Sequence, residues 1–512
     1  MIQSEDTSTL LNQASGTLIA QNTGVGSWQL LQYQSPILPI HAALLRTGNV
    51  FFFTGSSNNP TQINSPLNSV VWNVSNGTFS NQSAPTDSSG LPVDLFCAGQ
   101  SFRSDGRLMI AGGTLQYDPF HGATAAFLFD PSNQQLRRVA SMNRGRWYPT
   151  VLTLGNGRIF ALSGLDVNGN LSRNPEIYSS STGWRVFSQE TSPFDLYAHI
   201  YLLATGQLFY CGAYFSSRNG VTPRLLNLPG NFSQAITETP VADLPEPDSA
   251  AQAASVLLPP AQDQKVMVIG GGNPDVATNR VSIIDLKQTN PTYTAAAPLN
   301  FARKHHNAVI LPDRKIFVCN GSGENENGSR ATLAAEIYDP LNNTWTVAAT
   351  ASVIRLYHSV ALLLPDGTVV AAGGNPRRRN ECDGNGNVPD SNPPLPCEEK
   401  RLEIYSHSPP YISQTRPVIN SAPSSAGYGR TITIGTPQAA SIQWVSLIKP
   451  MATTHGLDTE QRLVDLPITS RTSTSLTVSV TNNFNLAPTG WYMLFISDTS
   501  RVPSVARWIR LS

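Results

Sequence analysis

Residues 355–374 read RLYHSVALLLPDGTVVAAGG: an apolar run, a Pro-Asp-Gly turn, a second apolar run and a pair of glycines. Apolar and β-branched residues on either side of a tight turn have the form of a β-hairpin. Six further segments repeat it: LLRTGNVFFFTGS (44–56), SFRSDGRLMIAGG (101–113), VLTLGNGRIFALSG (151–164), IYLLATGQLFYCGA (200–213), LLPPAQDQKVMVIGGG (257–272) and VILPDRKIFVCNG (309–321). Their turns fall at Gly48, Gly106, Gly157, Gly206, near Gln264, Arg314 and Gly367, a spacing close to the ~50 residues of a kelch blade. Seven copies predict a seven-bladed β-propeller. PEIYSSSTGW (175–184) and AEIYDPLNNTW (335–345) supply outer strands, with their aromatics packed between blades. The Gly-Gly pairs read as backbone geometry, and GSGENENG (321–328) is no phosphate loop because no helical pattern follows it.

After about residue 407 the repeat stops. Beyond a Pro/Ser stretch the runs RTITI (430–434), SIQWVSLI (441–448), SLTVSV (475–480), WYMLFIS (491–497) and ARWIRL (506–511) predict a C-terminal β-sandwich of immunoglobulin-like size. The expected organisation is an all-β chain: a polar lead-in over 1–27, surface-draped or disordered, a propeller over 28–407 and a sandwich over 408–512. With 512 residues, 34 Lys+Arg against 34 Asp+Glu and 13% charged residues, the chain has no basic field for nucleic acid. No apolar stretch approaches the ~20 residues of a spanning helix, and residues 1–20 lack the order of a signal peptide. A monomer with no nucleic-acid partner and no membrane span is expected.

Equivalent positions in the blades occupy equivalent places around the propeller axis. Nine residues before each turn stand Pro39, Cys97, Tyr148, Tyr197, a residue near Ser255, His305 and His358. Any one of these is an ordinary packed side chain in a β protein. Together, a ring of imidazole, phenol and thiol is a transition-metal site in outline, suited to copper, iron, nickel or zinc. Tyr357 adds a phenol, but in an extended strand neighbours point to opposite faces, so Tyr357 and His358 meet only where the strand ends or bends. The five cysteines leave at least one outside any disulfide. Cys382 and Cys397 bracket a Gly/Asn/Pro-rich loop that a disulfide would close; Cys211 and Cys319 end apolar runs as buried hydrophobes; Cys97 remains to be explained.

DLFCAGQ (94–100), RGRWYPT (144–150), RLYHSVALLLPDG (355–367), VSLIKPMATTHGLDTEQRLVDL (445–466) and GWYMLFISDTSRVPSVARWIRL (490–511) resemble, in order, the copper radical oxidases, the family of galactose oxidase and glyoxal oxidase. RGRWYPT and TTHGLDTEQR look closer to the glyoxal oxidase branch. The resemblance implies a Cys97–Tyr148 thioether serving as a one-electron redox cofactor. One copper ion would be held by Tyr148, His358 and His455, with Tyr357 as axial phenol and catalytic base. It further implies oxidation of small aldehydes, as hydrates, or primary alcohols, with dioxygen leaving as hydrogen peroxide, and a secreted, extracellular protein. His455 lies in the second domain, so the two domains would dock through the metal.

One departure stands out. The segment where galactose oxidase places a Trp over the cross-linked tyrosine reads SGLDV (163–167) and has no aromatic. Tyr197 and Trp147 are the candidates to shield Tyr148, although regular strand alternation would turn Trp147 away. Tyr197 and His305, sharing the ring position, are expected to line the substrate mouth. DGNGNVPD (383–390) begins like a calcium loop but lacks the closing Glu; Arg377–Arg379 read as a solvated basic edge. The competing reading is a non-catalytic kelch propeller that binds a protein or glycan, which has no need of Cys97, Tyr148, Tyr357, His358 and His455 as a set.

Overall fold

Every one of the seven hairpins forms, and outer strands extend each into an antiparallel blade. The computed structural model describes residues 25–512 apart from 64, 66–67, 83, 274, 377–381, 383–386, 388–395, 407–410 and 412–413. Most of the lead-in, the basic run and most of the 383–390 loop therefore lie outside the described residues. The inner strands, such as His41–Leu44, Val50–Phe53, Leu108–Ala111 and Ile316–Cys319, are buried along their whole length. Neighbouring blades cover both faces, which is why these strands read as continuous apolar runs rather than alternating ones. The outermost strands alternate, as Ser27–Gln34 does. That strand pairs with Arg401–Ser406 as the outer edge of blade 7, so the chain closes its propeller with a segment from its own beginning. Ser27 begins this strand, and Val25 bridges to Ala348.

A device repeated between blades sets the backbone near the axis. In blades 3, 6 and 7 a fully buried arginine pairs with the glutamate of an Glu-Ile-Tyr triplet: Arg146 with Glu176 at 3.2 Å, Arg303 with Glu336 at 2.7 Å, Arg355 with Glu403 at 3.5 Å. The carbonyl of each arginine accepts from a glycine N–H of the preceding blade: Gly113 to Arg146 at 3.0 Å, Gly271 to Arg303 at 2.9 Å, Gly321 to Arg355 at 2.8 Å. Glycine is required here by space as well as by φ. At Gly112 (φ +87°) a Cβ would lie 2.2 Å from the Arg146 carbonyl oxygen, so the pairs Gly112–Gly113 and Gly270–Gly271 are the seats on which the next blade's arginine segment rests.

The C-terminal domain pairs a five-stranded sheet built on Gly490–Asp498 and Ile442–Ile448 with a three-stranded sheet of Thr431–Gly435, Ser475–Ser479 and Ile468–Arg471. Its apolar core runs without a break into blades 4 and 5, through Tyr201, Leu257, Val464 and Tyr492. From this domain the strand Ala452–Thr454 enters the propeller and adds a fifth strand to blade 1, with Thr454 opposite His41 and Ala452 opposite Ala43. The residues that follow are tied to other blades. Gln461 accepts from Ile310 N at 3.0 Å and donates to Ala308 O at 2.9 Å; Glu460 accepts from Thr153 N at 2.9 Å. Asp458 receives the N–H groups of Ala452, Glu460 and Gln461, which folds the segment into a plug. Burial beside Glu460 pushes the Asp458 carboxyl up to about 7.

Candidate metal centre

The ring positions share an unusual backbone. Cys97, Tyr148, Tyr197, Gln252, His305 and His358 all have positive φ, between 47° and 64°, and so does His455 at 51°. For bulky side chains this is the sparsely populated left-handed region. Backbone hydrogen bonds link neighbours around the axis: Tyr148 N to Cys97 O at 2.9 Å, Tyr197 N to Tyr148 O at 2.8 Å, His305 N to Gln252 O at 3.2 Å. Gln252, three residues before Ser255, is the blade 5 member. The turn after it holds a short 3-10 segment, Ala261–Asp263, which lengthens the count from nine to twelve.

The left-handed residue also breaks strand alternation, so consecutive side chains lie on the same side. Tyr357 and His358 stack at 3.8 Å between ring centroids, and Trp147 stacks on Tyr148 at 3.9 Å and 7°. The expectation that Trp147 turns away is thus corrected. Tyr197 covers the other neighbourhood of the Tyr148 ring at 4.5 Å and 24°, while its hydroxyl donates to Ala98 O at 2.9 Å. The structure accordingly places both aromatics against Tyr148, in a chain whose SGLDV segment offers none.

Three potential ligand atoms, from Cys97, His358 and His455, lie within 4.8 Å of one another, and the Cys97 thiol is 4.0 Å from His455 Nε2. The hydroxyls of Tyr148 and Tyr357 share a short hydrogen bond beside them. Both imidazoles are oriented through their far nitrogens. Asn375 Nδ2 donates to Cys397 O at 2.8 Å, which leaves Oδ1 to accept from His358 Nδ1 at 2.6 Å. Thr454 Oγ1 donates to Ile40 O at 3.1 Å and so accepts from His455 Nδ1 at 2.6 Å. Each Nε2 then carries its lone pair toward the shared space. His358 Nε2 is buried with no hydrogen-bond partner among the described residues, an orphan that a metal ion would satisfy. Burial holds the His358 imidazole down to about 4, with Asn375 acting against it; His455 is likewise lowered, by burial and then by His358, His41 and His305. Both are neutral near pH 7, the form that ligates. Burial raises the Tyr148 phenol and the Cys97 thiol well above their ordinary values.

A cleft of about 790 Å³ opens over this group, with Tyr357, His358, Phe215, Ser216, Gln252 and Asn375 among its lining residues. Tyr197 and His305 are not among them. His305 packs beside Tyr357 at 5.3 Å, its Nε2 3.4 Å from Asn325 Oδ1. The remaining cysteines fall as follows: Cys382 and Cys397 form a disulfide, and Cys97, Cys211 and Cys319 are buried thiols. Sequence reasoning missed Asn375 and Thr454. Asn375 directly follows the Gly-Gly pair of blade 7, and Thr454 precedes His455, but neither position announces an imidazole partner.

The glyoxal oxidase N-terminus family matches residues 56–390, and the galactose oxidase-like early set domain matches residues 416–511. The chain belongs to the copper radical oxidase family. Among relatives of these oxidases, a galactose oxidase from Gibberella zeae is 28% identical over 96% of this chain and 72% of its own length. An aldehyde oxidase from Vitis pseudoreticulata is 24% identical, covering 95% of this chain and 97% of its own. A solved fungal alcohol oxidase in complex with copper shares the fold with a TM-score of 0.78 at 23% identity, over 95% of this chain and all of that one. Copper radical oxidases of both the galactose and aldehyde types thus stand at similar identity to this chain.

Proposed function

We propose that this protein oxidises small aldehydes, as their hydrates, or primary alcohols, and passes the electrons to dioxygen, which leaves as hydrogen peroxide. Tyr148, Tyr357, His358 and His455 would hold one copper ion, and Cys97 and Tyr148 would form the thioether redox cofactor. The observation that carries this reading is the convergence of two neutral imidazole nitrogens, two bonded phenols and a buried thiol in one space beneath an open cleft. Copper would supply a one-electron acceptor and a Lewis acid at this site.

The chain's own groups divide the remaining work. Removing two electrons and two protons from a C–H and an O–H requires a second one-electron acceptor, and Tyr148, held in the dry interior, is that group. Tyr357 lines the cleft and contacts the Tyr148 hydroxyl, so its phenolate oxygen takes the substrate hydroxyl proton. The Tyr148 radical then takes the carbon-bound hydrogen atom. Trp147 and Tyr197 cover the faces of that ring and exclude water. Forming the thioether breaks one S–H and one ring C–H bond and makes one C–S bond, a two-electron oxidation that dioxygen accepts.

Intact mass tests the reading. After loading with copper and dioxygen, the protein loses two hydrogens relative to the copper-free form, and Cys97→Ser abolishes the loss. An unchanged mass, with Cys97 still open to alkylation under denaturing conditions, refutes the cofactor. Peroxide release across small aldehydes, glycerol, longer primary alcohols and galactose then ranks the substrates.

A further inference from the structure

The stack on Tyr148 does not end at Trp147. The far side of the indole carries Phe120 at 4.3 Å and 12°, and Phe120 meets Tyr117 at 5.6 Å. Trp147 is buried, whereas Phe120 and Tyr117 are only partly so. Four aromatic rings therefore run in contact from the interior to the protein's outer shell, and neither Phe120 nor Tyr117 is among the residues that line the substrate cleft. At the outer end, the Tyr117 hydroxyl donates to Asp94 Oδ2 and contacts the Ser56 hydroxyl, both bonds being short. Asp94 is held in place by the N–H groups of Ser56 at 2.8 Å and Phe96 at 3.0 Å. A phenol with a carboxylate acceptor on its proton can lose an electron without building positive charge in a buried site.

We infer that Tyr117, with Asp94 as its proton acceptor, is a redox relay that exchanges single electrons between Tyr148 and the solvent through Phe120 and Trp147. This rests on the reading of Tyr148 as the redox-active tyrosine. In one direction Tyr117 gives up an electron, which fills the hole on Tyr148, and its phenol proton passes to Asp94 Oδ2. A one-electron donor in solution, such as ascorbate or a phenol, then reduces the Tyr117 radical, and Asp94 returns the proton. In the other direction a one-electron oxidant in solution oxidises Tyr117, which takes its electron back from Tyr148 and its proton back from Asp94. The resting oxidation state can thus be set through Tyr117, a group outside the ligand set.

The test is stopped-flow oxidation of the reduced, copper-loaded protein by hexachloroiridate(IV), read at the visible absorbance of the tyrosyl radical. Tyr117→Phe keeps the ring and removes the proton transfer; Phe120→Leu opens the ring contact. Each is expected to slow radical formation by about tenfold or more, equivalent to about 1.4 kcal/mol in the barrier, while Tyr117→Phe leaves kcat/KM for substrate unchanged. Equal rates in all three proteins overturn the relay and leave the redox tyrosine standing. Absence of the radical signal in all three, together with an unchanged thioether mass, overturns the redox reading of Tyr148 and the relay with it.

Discussion

Asn375→Leu removes one amide and leaves a side chain of similar shape, so it isolates what the amide does for copper. Asn375 accepts from His358 Nδ1 at 2.6 Å and donates to the Cys397 carbonyl at 2.8 Å. Without it the buried Nδ1–H has no acceptor, at a cost of about 1–3 kcal/mol. The imidazole can avoid that cost by moving its proton to Nε2 or by rotating, and either takes the lone pair away from the metal. Loss of such a partner lowers metal affinity by about 10–100-fold, or about 1.4–2.7 kcal/mol, in agreement with the hydrogen-bond cost. The assay is copper(II) competition against a chelator of known affinity at pH 7, with the copper electron paramagnetic resonance spectrum recorded alongside. Asn375→Asp restores an acceptor and holds affinity near that of the unmodified chain. An affinity for Asn375→Leu within about threefold of the parent, with an unchanged copper spectrum, refutes the assignment of Asn375 as the group that orients His358.

Two further outcomes follow from the same geometry. Glu336→Ala leaves Arg303 fully buried without its carboxylate and frees the Asn300 and Phe301 N–H groups; breaking such a pair costs about 3–5 kcal/mol. With about 1 kcal/mol/K of unfolding entropy for a chain of this length, calorimetry of the copper-free protein reads a fall of roughly 3–5 °C, against no change for Leu341→Ala at an exposed site. Acid destabilises the copper-free protein through His358. Its folded pKa of about 4 lies below the ordinary 6.5, so the stability it supports is complete above 6.5 and is lost as pH falls toward 4, by up to about 3 kcal/mol. A copper-free melting temperature that is flat from pH 7 to pH 4.5 contradicts this.

The blades were legible because a strand covered on both faces must be apolar throughout, and a turn residue must follow it; 362–374 displays both at once. The ring was legible by counting from those turns, and the count fails where the turn itself grows, as it does before Gln264. Two other features lie beyond such counting, for different reasons. The strand Ala452–Thr454 pairs with His41–Leu44 across some four hundred residues, and nothing in ATT marks it as a strand of another domain's sheet. Trp147, a candidate to shield Tyr148, does so against strand alternation, because alternation presumes an extended chain, whereas Tyr148 sits at φ 63°. The recurring Arg and Glu-Ile-Tyr partners, by contrast, were visible in the sequence: Arg146, Arg303 and Arg355 each precede a triplet at 176, 336 and 403. They carry no metal chemistry, so a search for ligands passes over them.

Those arginines explain how the centre tolerates its own backbone. A bulky residue at positive φ costs on the order of 1–3 kcal/mol, and seven of them gather here. Left to itself, each would relax to an extended conformation, and alternation would send Trp147 or Tyr357 to the opposite face. The arginine two or three residues earlier prevents this in blades 3, 6 and 7. Its guanidinium is fixed by a buried glutamate and by carbonyls of its own blade, as Arg355 is by Gly373 O at 3.0 Å and Arg401 O at 2.7 Å. Its carbonyl is fixed by the preceding blade's glycine. With both ends held, the chain enters the ring position at an imposed angle, and the left-handed turn is the conformation that still reaches the inner strand beyond. The cost is offset by buried ion pairs and hydrogen bonds remote from the ligands, and the gain is positional. Tyr148, His305 and His358 are held in place by the chain itself, so an ion bound at this centre would meet little reorganisation there.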